Sequence, residues 1–167
     1  KMRYCPLCRE PLSPRRLGGR DRLACATPGC GFVFWNNPAP VVAAIVEHEG
    51  KIVLARGVGW PEGHFGLITG FLEQDETPEQ GVLREVHEEL SLRAEIVSYV
   101  GHYPFPRANQ LILAFHVRAE GTIVIDREEL AEIRLIPPER LRPWQHGTGP
   151  AVRDWLLRQG YALPPPV

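Results

Sequence analysis

The chain has no long apolar run, no marked excess of either charge, and no cysteine beyond residue 30. Its apolar runs fall far short of the roughly 20 residues that span a membrane, so we expect no membrane segment. Its 19 basic and 20 acidic residues give a net charge of −1, which excludes a basic field over the whole surface that would attract nucleic acid. The first residues also lack the apolar stretch of a secretion signal, and a cytoplasmic location is therefore expected.

What remains is the composition of an ordinary globular chain, with 167 residues of which 44% are hydrophobic and 23% charged. That length suits one domain, or a small module followed by a domain of about 130 residues. Short apolar runs bounded by turn residues predict strands, and the apolar spacing near the C-terminus predicts a helix over 151–159. The predicted strands cover residues 41–47, 51–56, 66–72, 94–103, 111–120, 123–125 and 133–136, with a Pro-rich loop over 103–110.

All four cysteines fall in two pairs near the N-terminus, Cys5 with Cys8 and Cys25 with Cys30. This spacing predicts a tetrahedral Zn²⁺ site in a zinc ribbon. About 30 residues cannot bury a core of their own, so the ion would supply much of the folding free energy. Four thiolates leave no open coordination position, and the site would be structural. Two disulfides, or buried free cysteines, remain as alternatives.

The clearest helix signal covers residues 77–90. Thr77 can act as the N-cap, Pro78 occupies the favoured first position, and Gln80 completes a capping box.

Three glutamates, Glu85, Glu88 and Glu89, share one face of this predicted helix. Carboxylates this close repel one another, and the crowding costs stability unless a cation lies between them. Hard oxygen ligands suit Mg²⁺ or Mn²⁺, whose open positions commonly take substrate phosphates. A solvated acidic face is the alternative when the triplet is taken alone.

The glutamates belong to a longer pattern. Gly70 is followed after five residues by Glu76, and after seven more by Arg84 and Glu85. This string resembles the Nudix box, the signature of the Nudix hydrolase superfamily, except that Ser91 stands where the family has glycine. That position lies just past the helix, where a left-handed backbone favours glycine, so Ser91 should strain the turn mildly without removing a metal ligand.

The resemblance implies an α/β fold, namely a Nudix α/β/α sandwich with a mixed sheet, preceded here by the small zinc ribbon. It also implies hydrolysis of a nucleoside diphosphate linked to another moiety, with Mg²⁺ or Mn²⁺ as the catalytic cofactor. The box positions assign metal binding and catalysis to Glu85, Glu88 and Glu89. They assign the orientation of these carboxylates to Arg84, and close backbone approach at the metal to Gly70.

A four-cysteine ribbon directly before a Nudix domain resembles the NADH pyrophosphatase subfamily. The segment Pro104-Phe105-Pro106 matches part of that subfamily's signature, with Tyr103 in place of a tryptophan. The resemblance places a further metal-binding glutamate at Glu129, and it implies a homodimer. Substrates such as NADH, NAD⁺ or ADP-ribose are expected.

The Pro-rich loop offers groups for nucleotide recognition. Tyr103 or Phe105 could stack on a base, Arg107 could pair with a phosphate, and Gln110 could bond to the base or ribose. Packing in the core is an equally open interpretation of the two aromatic residues.

Two other functions remain open. One is removal of an NAD-like cap from an RNA end, with arginines of the ribbon touching the RNA chain. The other is a regulatory module that binds a nucleotide without turnover, which the three intact glutamates disfavour. The predicted organisation is a zinc ribbon over 1–36, a Nudix hydrolase domain over 37–163 and a flexible tail over 164–167.

Overall fold

The computed structural model describes residues 2–163, so the tail predicted over 164–167 lies outside the described residues. The chain divides into two compact units, Lys1–Pro38 and Ala39–Val167. Within the described residues, no helix is both long and apolar enough to cross a membrane.

The first unit is a small antiparallel sheet with almost no apolar core. Its strands are β1 (Leu12–Leu17), β2 (Arg20–Cys25) and β3 (Val33–Phe34), which pair in the order β1-β2-β3. Apart from Cys5 and Cys25, Ala24 is the one hydrophobic residue buried among residues 2–38. As the length of the segment predicts, this unit needs something other than apolar burial to hold it together.

The second unit is a mixed sheet with one helix on each face. Its elements are β4 (Ala39–His48), β5 (Lys51–Gly57), β6 (Ile68–Phe71), α1 (Pro78–Leu90), β7 (Arg93–Phe105), β8 (Gln110–Glu120), β9 (Leu130–Ile136) and α2 (Gly149–Arg158). The strand order is β7-β8-β4-β5-β9, with β6 also pairing with β4. Strands β4 and β8 run parallel and the other pairs run antiparallel.

Alternation along β4 divides the core into two layers. Val42 and Val46 pack toward α1, whereas Ala43 and Ile45 pack toward α2. Successive residues of a strand point to opposite faces, so one fully buried strand supplies both layers. The predicted α/β/α sandwich with a mixed sheet is confirmed.

Helix α1 begins and ends as the sequence predicts. The Thr77 side chain accepts a hydrogen bond from the Gln80 backbone, and the Gln80 side chain accepts one from the Thr77 backbone. Ser91 ends the helix in the left-handed conformation, with φ of 57°. A non-glycine residue therefore occupies the strained position that favours glycine.

Two predictions of secondary structure were wrong, a strand over 123–125 and the start of the loop over 103–110. Residues 123–125 form no strand, because the backbone amide of Val124 bonds to the last turn of α1, at the carbonyl of Leu90. Strand β7 extends beyond its predicted end at Tyr103, so that Phe105 lies within the strand rather than in the predicted loop. Pro104 between them is tolerated because β7 is an edge strand, where one side of the backbone needs no partner strand.

Candidate active site and metal centre

The four cysteines of the first unit converge on one point. Their sulfur atoms all lie within 4.8 Å of one another, with Cys5 and Cys30 at 3.6 Å and Cys8 and Cys25 at 3.4 Å. A tetrahedral zinc with Zn–S bonds of about 2.3 Å separates its sulfurs by about 3.8 Å, whereas a disulfide brings them to about 2.05 Å. All four are free thiols, which contradicts the disulfide alternative, and the donor set fits a structural zinc ion.

Two tight turns present these sulfurs. The backbone amide of Arg9 bonds to the carbonyl of Cys5 in the first turn, and that of Cys30 bonds to Thr27 in the second. Hydrogen bonds, first that of the Glu10 backbone and then that of the Thr27 side chain, lower the pKa of the Cys8 thiol to about 6. A lowered thiol pKa favours the thiolate, which is the form that binds a metal.

In the second unit, α1 presents its glutamates beside β6. The apolar stripe of the helix packs on the sheet, and this orientation leaves Glu85 and Glu89 buried at the margin of the core while Glu88 is exposed. A Cβ added at Gly70 on β6 would overlap the carboxylate of Glu85. Glycine is therefore required there, and the close backbone approach predicted at this position is observed.

Arg84 fixes the carboxylates on one side of the site. Its Nε and Nη2 donate to the two oxygens of Glu76 at 2.8 and 2.9 Å. Its Nη1 donates to Glu85 at 2.7 Å and to Glu88 at 3.0 Å. A planar guanidinium suits this bidentate geometry, and Arg84 joins three carboxylates in a fixed arrangement.

Glu89 lies outside this network. Burial and the neighbouring carboxylates, Glu85 and Glu129 foremost, raise the pKa of Glu89 to about 8. Burial also raises the pKa of Glu85, although Arg84 opposes that shift. Among residues 2–163, no side-chain hydrogen bond or ion pair reaches the Glu89 carboxylate, so its charge lacks a compensating partner within the chain.

Two clefts open on the carboxylates. One, of about 410 Å³, is lined by Gly70, Arg84, Glu85, Glu88 and Glu129 among others. The second, of about 370 Å³, contains Glu89 and shares Glu129 with the first. All the predicted metal-binding glutamates thus face one of two adjoining clefts.

The residues fit a divalent metal by the chemistry of their donors. Four carboxylates supply hard oxygen ligands, and the uncompensated charge at Glu89 is what a cation would neutralise. Among the described residues, the four cysteine sulfurs all lie within 4.8 Å of one another, whereas the oxygens of these four glutamates lie farther apart than that.

The predicted substrate residues separate in the structure. Gln110 lines the cleft that holds Glu85 and Glu88, whereas Tyr103, Phe105 and Arg107 are not among the described residues that line it. Tyr103 donates its hydroxyl hydrogen to Asp154 at 2.8 Å. Tyr103 and Phe105 pack against the core layer under α2, while Arg107 lies in the short turn between β7 and β8.

Sequence reasoning missed two aromatic residues at the clefts. Phe71 is 57% exposed in the first cleft, and Trp60 is 48% exposed in the second. Phe71 directly follows Gly70, so its place in the box was the available signal. Nothing local marks Trp60, which comes to the site because it packs against Gly57 and Gly66.

The chain matches known proteins along most of its length. The model of the NUDIX domain matches residues 37–156. The NAD-capped RNA hydrolase NudC of Salmonella heidelberg strain SL476 is 32% identical over 145 residues, which cover 81% of this chain and 55% of that protein. The chain therefore belongs to the Nudix family, and it spans about half the length of the curated relatives it matches.

Solved structures agree with the fold. A NUDIX hydrolase from Nitrosomonas europaea superimposes with a TM-score of 0.78 and 26% identity, covering 98% of this chain and 95% of that one. An ADP-ribose pyrophosphatase from Streptococcus suis gives a TM-score of 0.59 at 21% identity, covering 74% of this chain and 92% of that one. At that lower identity the likeness supports the fold alone.

Proposed function

We propose that this protein hydrolyses the diphosphate linkage of a nucleoside diphosphate derivative, with NADH, NAD⁺ or an ADP-ribose-like compound as substrate. The observation that carries the proposal is the set of four glutamates, Glu85, Glu88, Glu89 and Glu129, that face two adjoining clefts beside Gly70. An acidic cluster of this kind would repel a diphosphate by itself. A divalent cation between the two makes the arrangement productive.

The same glutamates would hold Mg²⁺ or Mn²⁺, with Gly70 leaving room for the metal and substrate against the backbone. When bound, the cation supplies positive charge beside the diphosphate and makes water a better nucleophile. Arg84 acts through the carboxylates, because its guanidinium is committed to Glu76, Glu85 and Glu88. It is therefore a positioning residue in this proposal.

The two clefts suit the two halves of a dinucleotide-like substrate. They meet at Thr69 and Glu129, so a diphosphate placed there has one cleft on either side. Phe71 offers an aromatic face in one cleft and Trp60 in the other, and Gln110 offers an amide to a base or ribose. Tyr103, Phe105 and Arg107 would take part through a second protomer, in the homodimer that the NADH pyrophosphatase resemblance implies.

A substrate panel tests the proposal. NADH, NAD⁺, ADP-ribose, diadenosine polyphosphates and nucleoside triphosphates would be incubated with Mg²⁺ and with Mn²⁺, and the products separated by chromatography. We expect NADH or ADP-ribose to give a nucleoside monophosphate and a second phosphorylated half, with no turnover by a Glu88→Gln variant. Tight nucleotide binding with no turnover of any compound would instead support the regulatory module.

Removal of an NAD cap from RNA is a second candidate, favoured by two observations. The Salmonella relatives carry that activity in their name. In the first unit, Arg15 lies directly opposite Arg22 across β1 and β2, and such like-charge pairs are unfavourable without an anionic partner. If ribbon arginines bind the RNA chain, cleavage of capped RNA should weaken steeply with salt while cleavage of free NADH does not.

Three further points belong to the same proposal. Zinc is the ion proposed for the four cysteines, and elemental analysis of the purified protein tests it. Light scattering tests the homodimer, and cell fractionation tests the cytoplasmic location.

A further inference from the structure

The largest of the cavities described in the second unit lies away from the glutamates. It has a volume of about 640 Å³, it is open to solvent, and it is bordered by β5, β9, the segment before Phe65 and the loop that leads into α2. Leu54 and Ile136 form part of its wall, and both belong to the core layer under α2. None of the residues that line this cavity lines either of the clefts that hold the glutamates, so the cavity is distinct from them.

The wall of this cavity is strongly basic. Arg134, Arg140, Arg142, His64 and His146 line it, and none of its lining residues within the described chain is acidic. Three arginines around one concavity repel one another and concentrate positive potential, which favours an anionic ligand.

The arginines are held in different ways. The Nη1 of Arg142 donates to the backbone carbonyls of Glu139 and Leu141, both at 3.1 Å, which fixes its guanidinium at the rim. Arg134 pairs loosely with Glu132, at 3.7 Å. Arg140 makes no side-chain hydrogen bond or ion pair among residues 2–163 and remains available to a phosphate.

Flat apolar surfaces accompany the positive charge. The guanidinium of Arg134 lies over the ring of Phe65, 4.1 Å from its centroid, and its outer face is exposed. Trp144 is half-buried and also lines the cavity, and its carbonyl lies so close to Gly149 that a side chain at 149 would overlap it. A nucleobase stacks favourably on both an arginine plane and an aromatic ring.

We propose that this cavity binds a nucleoside phosphate, with the base between Arg134 and Trp144 and the phosphate on Arg140 and Arg142. The site lies beyond the proposed hydrolysis and does not depend on it. The ligand's chemistry has two possible sources: a free mononucleotide, or one nucleotide of a single-stranded RNA chain.

The test measures binding at the cavity directly. Backbone NMR resonances of the whole 167-residue chain, without added Mg²⁺ or Mn²⁺, would be followed during titration with AMP, a 5′-phosphorylated RNA hexamer, or inorganic phosphate. We expect AMP to shift the resonances of residues 64–65, 134–136 and 140–146, as a set distinct from residues 70–89. An Arg140→Glu variant should weaken binding at the first set by about tenfold or more, while an Arg93→Glu variant should not.

Each outcome has a meaning. Equal affinity for AMP and the hexamer supports a free mononucleotide, and tighter binding of the hexamer supports an RNA chain. Inorganic phosphate acting as well as AMP would contradict recognition of the nucleoside. No shifts at the first set with AMP up to about 1 mM would overturn the proposal. Because the readout is binding, failure of the proposed hydrolysis would leave this result unaffected.

Discussion

The two compact units reach stability by different means. The second unit buries a complete apolar strand, β4, between two layers that reach α1 and α2. The first unit buries little besides two of its cysteines and Ala24, and its order depends on four sulfurs that meet at one point. A core built from many contacts loses stability in steps, whereas a site of four ligands fails when one ligand is lost.

The largest expected effect comes from removing one of the four cysteines, the proposed zinc ligands of the first unit. Replacing Cys25→Ser should unfold residues 2–38, because zinc binding to such sites is worth about 10–16 kcal/mol in isolated zinc-finger peptides. Hydrogen exchange would then show lost protection in β1 and β2 and retained protection in β4.

A Ser13→Ala variant in the same sheet is the matched control and should keep both zinc and protection. If β1 and β2 keep their protection after the metal is gone, the structural role of the cysteines is contradicted.

The next largest effect concerns Glu89, a buried carboxylate that we expect to lower the stability of the second unit when no metal is bound. Glu89→Gln should reduce turnover about a hundredfold or more, since the carboxylate is a proposed metal ligand. The same change should stabilise the protein in buffer free of Mg²⁺ and Mn²⁺, because the folded state disfavours the charged form of Glu89.

The pH dependence has a definite sign. The pKa of Glu89 is raised from 4.5 to about 8 in the folded protein. The contribution of this carboxyl to the free energy of unfolding is therefore fully present below pH 4.5, where it is protonated in both states, and is lost as the pH rises through 8. Between pH 4.5 and pH 8, the melting temperature should fall more steeply in the wild type than in Glu89→Gln. Glu79→Gln, at an exposed position of the same helix, should change neither activity nor this slope.

A smaller loss is expected at the residue that positions the carboxylates. Arg84→Lys keeps the positive charge but cannot reach Glu76, Glu85 and Glu88 together, and turnover should fall about tenfold to a hundredfold. Kinetics with varied metal concentration would show that the variant needs more metal to reach half of its maximal rate. Arg153→Lys on α2 is the control, and equal effects from the two changes would contradict a positioning role.

The smallest effect tests the one departure from the Nudix box. Ser91→Gly should stabilise the protein by roughly 1 kcal/mol, because Ser91 holds a left-handed conformation that glycine adopts without strain. The same substitution at Ser98, within β7, should destabilise it by roughly 0.5–1 kcal/mol. Chemical denaturation of both variants measures the difference, and a loss of stability in Ser91→Gly would show that the turn is not strained.

The features predicted well from the sequence depend on residues close together in the chain. The capping box of α1 needs only Thr77 and Gln80, three residues apart. The cysteine pairs and the spacing from Gly70 to Glu89 are likewise short patterns with a direct chemical meaning. Such signals do not depend on distant parts of the chain, and they predicted the convergence of the four cysteines, the sandwich and the family.

The errors and omissions arose where distant segments decide the outcome. Residues 123–125 have the composition of a strand, yet the backbone amide of Val124 donates to the carbonyl of Leu90 at the end of α1 instead of to a neighbouring strand. Trp60 carries no local signal of a site residue, yet the fold brings it to the cleft that contains Glu89. Neither result can be read from neighbours in the chain, because each depends on which partner the fold provides.

The sequence by itself determined the class of fold, the family and the set of ionisable groups that α1 carries. The tertiary structure decided that Gln110 lines a cleft with those groups, and that Phe71 and Trp60 flank them. It also decided that Arg134, Arg140 and Trp144 surround a second cavity on the other face of the sheet. The physical reason is that local hydrogen bonds and spacing act within a few residues, whereas a cavity forms only where separate strands and loops meet.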